Sequence, residues 1–305
     1  MSDPAAEPGA PTSGATEKPH AASEKSLASE AHRKAPKLVS LAATPDRIIL
    51  RLNKLLASPG GLSSFLSTFN YTLYLLAYLE SKSLPLKARL YQLLGRTAAS
   101  ASPALNAGPS SIAALGAVLS STRTTLRLFG LFPMYAWLRQ LSHGPKPGQD
   151  QVLYSTACTQ AVLYTAFQFL ENVAYLTDSK ILPASYTNRW TASSGGTTAK
   201  IYLWSYRAWM AGILCDFVRL FREAQIEREK RAQRSGITDV STREEDERTD
   251  AKWWSALIVP TAWLPVAMQF SIEGGIPGFN LGVMGACGGI AGLGRTTELW
   301  NATAE

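Results

Sequence analysis

The chain has 305 residues, of which 46% are hydrophobic and only 17% are charged, and its net charge is +7. Soluble domains average about 25% charged residues, so this composition favours a protein that is partly embedded in a membrane. The three cysteines are odd in number and lack metal-ligand spacing, which argues against both a disulfide framework and a zinc site.

Residues 1–43 form a polar N-terminal stretch with five basic and five acidic side chains and no aromatic residue. Such a segment cannot bury enough apolar surface to offset the entropy lost on ordering. The sequence therefore predicts a disordered tail over 1–43.

A short amphipathic helix is predicted next, with Thr44 as its cap, Pro45 at its first position and a stop at residues 58–61. Its polar stripe is almost purely cationic, and its opposite face is apolar. Most such helices pack on their own protein, but the scarcity of acidic side chains here favours lipid. The predicted membrane-binding residues are Arg47, Arg51 and Lys54 on the stripe and Ile48, Ile49, Leu52, Leu55 and Leu56 on the apolar face.

The region 44–234 reads as a series of helices, and its first part is selectively basic. Residues 44–150 contain eleven basic and three acidic side chains, a charge of +8. Because the cations are sparse and separated by long apolar runs, an anionic membrane surface is a better partner than nucleic acid. We expect a membrane-associated helical domain over 44–234, followed by a charged loop over 235–252.

The C-terminal region 253–305 contains two uncharged stretches that are separated only by Glu273. Each is about as long as the roughly 30 Å hydrocarbon core when helical, so we predict a transmembrane hairpin with spans at 253–272 and 276–293. Trp253 and Trp254 stand where aromatic residues anchor a helix at the membrane interface. Small residues spaced four apart let helices approach closely in lipid, and self-association is predicted for Gly282, Gly285, Gly289 and Gly292.

No segment has the alternation of a strand, so the expected fold class is all-α. Catalysis has no support either. His20 and His32 lie in the polar tail and His143 lies in a glycine- and proline-rich segment, so a serine or cysteine nucleophile would lack a base. The sequence predicts no enzyme activity, no cofactor and no metal.

Four stretches follow one another along the chain: DRIILRLNKLLASPGGLSSFLSTFNYTLYLLAYL (46–79), STRTTLRLFG (121–130), ENVAYL (171–176) and GVMGACGGIAGLGRTTELW (282–300). In this order they resemble the peroxisomal biogenesis factor 11 family, the peroxins that elongate peroxisomal membranes before fission. The resemblance is closest to the divergent branch found in filamentous fungi.

The resemblance implies a protein that is integral to the peroxisomal membrane or tightly bound to it. Together with the predicted hairpin, this gives a multi-pass protein with both termini in the cytosol. The resemblance also implies insertion of amphipathic helices into one leaflet, homo-oligomers, and recruitment of a fission machinery that consists of an adaptor and a dynamin-like GTPase. Two alternatives stay open beside membrane remodelling: a channel or transporter for small metabolites, which the lack of charged side chains in the C-terminal pair of predicted spans argues against, and a receptor whose charged segment 216–250 binds a soluble partner.

Overall fold

The computed structural model describes residues 36–93, 110–192, 195–234 and 240–304, and all regular structure within these ranges is helical. The predicted all-α class is therefore confirmed. These ranges contain nine α-helices and one 3₁₀ helix, in the order α1 (Pro36–Ala57), α2 (Pro59–Leu93), α3 (Ser111–Leu126), the 3₁₀ helix (Arg127–Gly130), α4 (Leu131–Leu141), α5 (Gln151–Asp178), α6 (Ala184–Thr191), α7 (Ala199–Gln233), α8 (Val240–Ser271) and α9 (Leu281–Ala302).

The chain divides within α1. Of the described residues, 36–53 belong to one unit, and those from Lys54 onward form a second unit, the helical bundle. Ser58 marks the end of α1, where its hydroxyl donates to the carbonyl oxygen of Leu55 (3.1 Å) and accepts from the amide of Gly61 (3.0 Å). The predicted stop at this point is confirmed, although α2 begins only one residue later.

The start of α1 differs from the prediction. Residues 1–35 of the predicted tail lie outside the described residues, but residues 36–43 belong to α1 and Pro45 lies inside the helix. Proline suits the first position of a helix because its missing N–H has no partner there in any case. That preference pointed to Pro45, whereas Pro36 occupies the first position of the observed helix.

The predicted charged loop 235–252 is also wrong for most of its length, because α8 begins at Val240. Residues 235–239 lie outside the described residues. Helical pairing of opposite charges accounts for the difference: Arg243 lies 3.3 Å from Glu247, and Arg248 lies 3.6 Å from Glu244. Pairs at this spacing stabilise a helix even when most of its side chains are polar.

The bundle is built from antiparallel neighbours. Helix α2 packs on α9, α9 on α8, α8 on α7 and α7 on α5, while α3 lies against α2 and α4 against α5. Aromatic rings from four of these helices meet in the interior. Tyr71 of α2 contacts Trp263 of α8 at 5.3 Å between ring centroids, Trp263 contacts Trp209 of α7 at 5.6 Å, and Trp209 contacts Phe167 of α5 at 6.1 Å.

Across the described residues, none of the helices combines the length and the apolar character that crossing a bilayer requires. The C-terminal hairpin at 253–272 and 276–293 corresponds to parts of α8 and α9, and its insertion stays a prediction.

Candidate membrane-binding surface

The clearest outward-facing apolar segment among the predicted sites lies in α1. Ile48 and Ile49 expose 49% and 64% of their surface, and Leu50 is exposed as well. Arg47 is also exposed. Adjacent large aliphatic side chains that are open to the outside mark a surface for lipid or for another protein.

The end of α1 behaves differently. Leu55 is only 3% exposed, so it packs within the protein and is not available to lipid. Arg51, Leu52 and Leu56 are half-buried, whereas Lys54 is exposed. The predicted membrane face is therefore open at its two isoleucines, half covered farther along, and closed at Leu55.

The two predicted anchor tryptophans have different roles. Trp253 is half-buried and its indole N–H donates to the carbonyl oxygen of Leu220 at 2.9 Å, which ties α8 to α7. Trp254 is exposed and stacks edge-on against Trp253 with 5.0 Å between the rings. Only Trp254 is free to reach a lipid interface.

The glycine ridge of α9 packs mainly on α2 of the same chain. A Cβ on Gly285 would collide with the backbone nitrogen of Leu75 and lie 2.7 Å from the carbonyl oxygen of Tyr71. Gly282 faces the ring of Tyr78 and Gly292 faces Thr68 in the same way. These three glycines are covered by α2 and are not open to a second copy here.

Gly289 is the exception, because a Cβ added there meets no atom within 4 Å. Self-association through the four glycines stays a prediction, and Gly289 is the member that retains an open face. Gly288, which the sequence prediction omitted, lies against the ring of Tyr71 and completes the ridge.

Hydroxyl groups continue the α2–α9 contact beyond the glycines. The hydroxyl of Thr296 lies 2.8 Å from that of Ser64 and 2.7 Å from that of Thr68. Close backbone approach at small residues combined with hydrogen bonds between helices is the way helices associate in lipid, where burial of apolar side chains gives little driving force.

The outer surface of the bundle and of α1 is unusually apolar. Among the described residues, thirty-one large hydrophobic side chains are exposed, while twelve hydrophobic and eleven polar or charged residues are buried. Phe132 and Phe221 are examples on α4 and α7. Sequence reasoning predicted a membrane-associated domain over 44–234 but named individual lipid-contacting residues only in α1 and at Trp253 and Trp254, because periodicity does not tell which face of a mostly apolar helix turns outward.

Charge is concentrated in one region, the charged arm, which we define as residues 222–233 of α7, the following Arg234, and residues 240–252 of α8. Arg231 lies 2.7 Å from Asp250 and 3.2 Å from Glu227, and Arg234 lies 3.2 Å from Asp246. Hydrogen bonding to Arg231 lowers the pKa of the Asp250 carboxyl. These contacts tie the polar parts of the two helices together.

Inside the bundle, the second and third stretches of the family resemblance pack against each other. Arg127 Nη2 lies 2.9 Å from Glu171 Oε1, and Glu171 is 1% exposed. The side-chain amide of Gln168 donates to the carbonyl oxygen of Arg127 (2.8 Å), and that of Asn172 donates to Leu128 (3.1 Å). Gly130 permits this approach, because a Cβ there would lie 2.6 Å from Gln168 Oε1. Sequence reasoning did not predict this contact.

This buried cluster is only partly satisfied. Neither carboxylate oxygen of Glu171 accepts a hydrogen bond of good geometry from any described residue, so the contact with Arg127 is an ion pair without that support. Burial raises the pKa of Glu171, and the attraction of Arg127 and Arg123 opposes the rise. Burial also lowers the pKa of Arg123, whose guanidinium lies 5.3 Å from the centre of the Tyr71 ring.

Comparison with known proteins connects this architecture to a family. The model of the peroxisomal biogenesis factor 11 (PEX11) family matches residues 88–300, which is more than half of the chain. The chain belongs to the PEX11 family. No curated protein and no solved structure matches it.

Membership of the PEX11 family implies a role in peroxisome biogenesis and proliferation and a location at peroxisomes. The family consists of biogenesis factors and is not known for enzymes. The matched range covers the buried Arg127–Glu171 cluster, the charged arm and the glycine ridge, but not the exposed part of α1.

Proposed function

We propose that this PEX11 protein remodels and elongates the peroxisomal membrane by inserting α1 into one leaflet and by self-association, and so promotes fission. The observation that carries the proposal is the open pair Ile48 and Ile49 beside the exposed cation Arg47. Family membership supports the peroxisome as the location, and the exposed apolar and cationic side chains of α1 support insertion into lipid as the mode of action.

Energetics favour lipid as the partner of α1. Burying an aliphatic side chain of this size contributes about 1.5–3 kcal/mol, whereas a cation near an anionic surface contributes about 1 kcal/mol. The two isoleucines therefore dominate binding, and Arg47 adds a smaller, salt-sensitive part. A helix buried about 5–10 Å at the headgroup boundary expands one leaflet, and many copies acting together favour a tubule.

The bundle supports the same proposal through its exposed apolar side chains and its glycine and hydroxyl contacts between α2 and α9. Anchoring by a hairpin at 253–272 and 276–293, with both termini in the cytosol, is the finer form of this proposal. Its motivation is the absence of charge between Trp253 and Ile272 in the sequence. Extraction with alkaline carbonate tests it, and release of the protein would exclude integral insertion.

Self-association is proposed through the open side of α9, where Gly289 lies beside the exposed side chains of Ile290 and Leu293. A fission adaptor and a dynamin-like GTPase are proposed partners on the strength of the family alone. The charged arm is the surface with the polarity that a soluble partner needs.

A metabolite channel has weaker support. Arg127 and Glu171 pair with each other, and the guanidinium of Arg123 lies over Tyr71, so these interior charges are engaged by the protein itself. Nothing in the described residues favours a conducting path, so membrane remodelling is the one function that we propose.

The test is flotation of the full-length protein with vesicles that contain about one-third anionic lipid, followed by imaging for tubules. Replacement of Ile48 and Ile49 by glutamine is expected to reduce flotation and tubule formation strongly at every salt concentration. The matched control, Arg47→Gln, is expected to weaken flotation only at low salt. If the double variant still forms tubules like the wild type, α1 is not the inserting element.

A further inference from the structure

A groove of about 610 Å³ lies between α5 and α7 and is separate from α1 and from the glycine ridge. Its walls include Leu163 and Leu170 of α5 and Trp204 of α7, and its floor includes the small residues Ala166, Ala208 and Ala211. The groove exists because alanines occupy positions where neighbouring turns carry large side chains. Its volume falls within the usual range of sites for small ligands, about 300–1,000 Å³.

The groove contains a cation that is held in place but not neutralised. Arg207 Nε donates to the carbonyl oxygen of Ser271 at 3.1 Å, and the guanidinium lies 5.1 Å from the centre of the Trp204 ring. Its two terminal nitrogens therefore keep their donors for a ligand, as far as the described residues go. Lys200 lies at one end of the groove, and the described lining residues include no carboxylate. Such a site is complementary to an anionic group attached to an apolar chain.

The surroundings indicate where such a ligand comes from. Val162 and Phe169 of α5 and Leu214 and Val218 of α7 are exposed, and their helical spacing continues the groove-lining faces of the two helices. The groove therefore opens onto an apolar outer surface and not onto a charged one. A ligand that already resides in a membrane reaches it most directly.

We propose that this groove binds one acyl chain of an anionic membrane phospholipid and that Arg207 binds its phosphate. The inference rests on the proposed membrane function and adds a specific lipid site to it. A planar guanidinium donates two parallel hydrogen bonds to a phosphate. The second acyl chain stays in the surrounding bilayer, because the groove is open along its length and Trp204 at its edge is about half exposed.

The experiment uses the purified full-length protein in detergent and a phosphatidic acid that carries a photoreactive diazirine in one acyl chain. After irradiation, the labelled peptides are mapped by mass spectrometry. Labelling is expected at residues 163–170 of α5 and 204–211 of α7. Phosphatidylcholine with the same photoreactive chain is expected to label these peptides much less, because its phosphate is paired with its own cation.

Three variants separate the contributions. Ala211→Phe fills the groove and is expected to abolish labelling of α5 and α7. Arg207→Gln removes the charge and is expected to reduce labelling by phosphatidic acid about tenfold, as loss of a charged hydrogen bond implies, whereas Arg207→Lys should retain most of it. The matched control is Arg139→Gln, which removes an exposed cation on α4 away from the groove and should leave labelling unchanged.

Other outcomes would overturn the inference. Equal labelling by the two lipids, unaffected by Arg207→Gln, would mean a nonspecific apolar slot. Full competition by palmitate or by inorganic phosphate at the same concentration would assign the site to a free carboxylate or to phosphate instead. Absence of labelling in a protein that still floats with vesicles would refute the lipid site and leave the proposed function standing. Specific labelling without flotation would refute the proposed function alone.

Discussion

Ion pairs occur both in the charged arm and within the bundle, but their carboxylates lie in opposite environments. The side chains of Arg231 and Asp250 lie 2.7 Å apart and are 31% and 55% exposed, so water screens them. Arg127 and Glu171 lie 2.9 Å apart; the Arg127 side chain is 37% exposed, but that of Glu171 is only 1% exposed. The Asp250 carboxylate keeps its hydration whether or not Arg231 is present. The Glu171 carboxylate is shielded from water, and its main compensation is the attraction of Arg127.

The difference teaches which contacts hold this fold. A buried pair is not in itself a strong source of stability, but breaking one by removing a single partner is severe. Exposed pairs contribute little individually. The interior, with its Arg127–Glu171 pair and its glycine ridge, should therefore be intolerant of substitution, and the charged arm tolerant.

The largest effect is expected from Arg127→Met, which leaves Glu171 buried without its partner. Removing one member of a fully buried pair destabilises by about 3–5 kcal/mol. Because the Arg127 side chain is 37% exposed, a loss at the lower end of this range is expected, and the midpoint of unfolding of the full-length protein in detergent should fall accordingly. The double variant Arg127→Met with Glu171→Leu should recover much of the loss, because no buried charge remains unpaired. A double variant as unstable as the single one would mean that packing, and not charge, sets the penalty.

A smaller but still large effect is expected from Gly285→Leu. The new side chain would collide with the backbone of α2 at Leu75 and Tyr71, and such overpacking costs about 1–3 kcal/mol, with the upper end expected because backbone cannot give way easily. Gly289→Leu is the matched control on the same helix, where a side chain meets open space. Equal losses of unfolding free energy in the two variants would contradict the α2–α9 packing.

Sequence reasoning predicted the helical class and the end of α1, because both depend on local pattern: no segment alternates like a strand, and Ser58 before Pro59 stops a helix. It also recognised that glycines recur at helical spacing in α9. It assigned a second copy to Gly282, Gly285 and Gly292, which pack on α2 of the same chain, since a bare ridge fits either partner; self-association through the four glycines stays a prediction. The Arg127–Glu171 pair could not be predicted, because 44 residues separate the two side chains and only packing brings them together.

The pH dependence of stability sharpens the comparison further. Because burial raises the pKa of Glu171 in the folded protein, the folded state binds its proton more tightly than the unfolded state does. Stability from this group is therefore complete below the ordinary glutamate pKa of about 4.3 and is lost as the pH rises through the folded value. Between the pKa of the unfolded state and that of the folded state, the free energy of unfolding of the wild type should fall by about 1.4 kcal/mol per pH unit relative to that of Glu171→Gln.

Unfolding of both proteins in denaturant, measured at intervals from pH 4 to pH 8, gives this difference directly. The glutamine variant keeps the size of the side chain and removes its charge together with its titration; loss of the attraction to Arg127 shifts the whole curve, whereas loss of titration changes its slope. Parallel stability curves for the two proteins would mean that the pKa of Glu171 is the same in the folded and unfolded states.

The smallest effect is expected in the charged arm, from Arg231→Gln. Arg231 is shared by acidic residues of both α7 and α8, so its loss should loosen the arm more than loss of a single pair, yet by no more than about 1 kcal/mol because the site is screened by water. Arg243→Gln, which breaks only the exposed pair with Glu247 within α8, is the control and should be nearly neutral. Hydrogen exchange of amides 222–234 reports the loosening, and 0.5 M salt should shrink the difference between wild type and Arg231→Gln because ions screen exposed pairs. A loss that persists in salt would show that Arg231 packs the arm through its aliphatic stem and not through its charge.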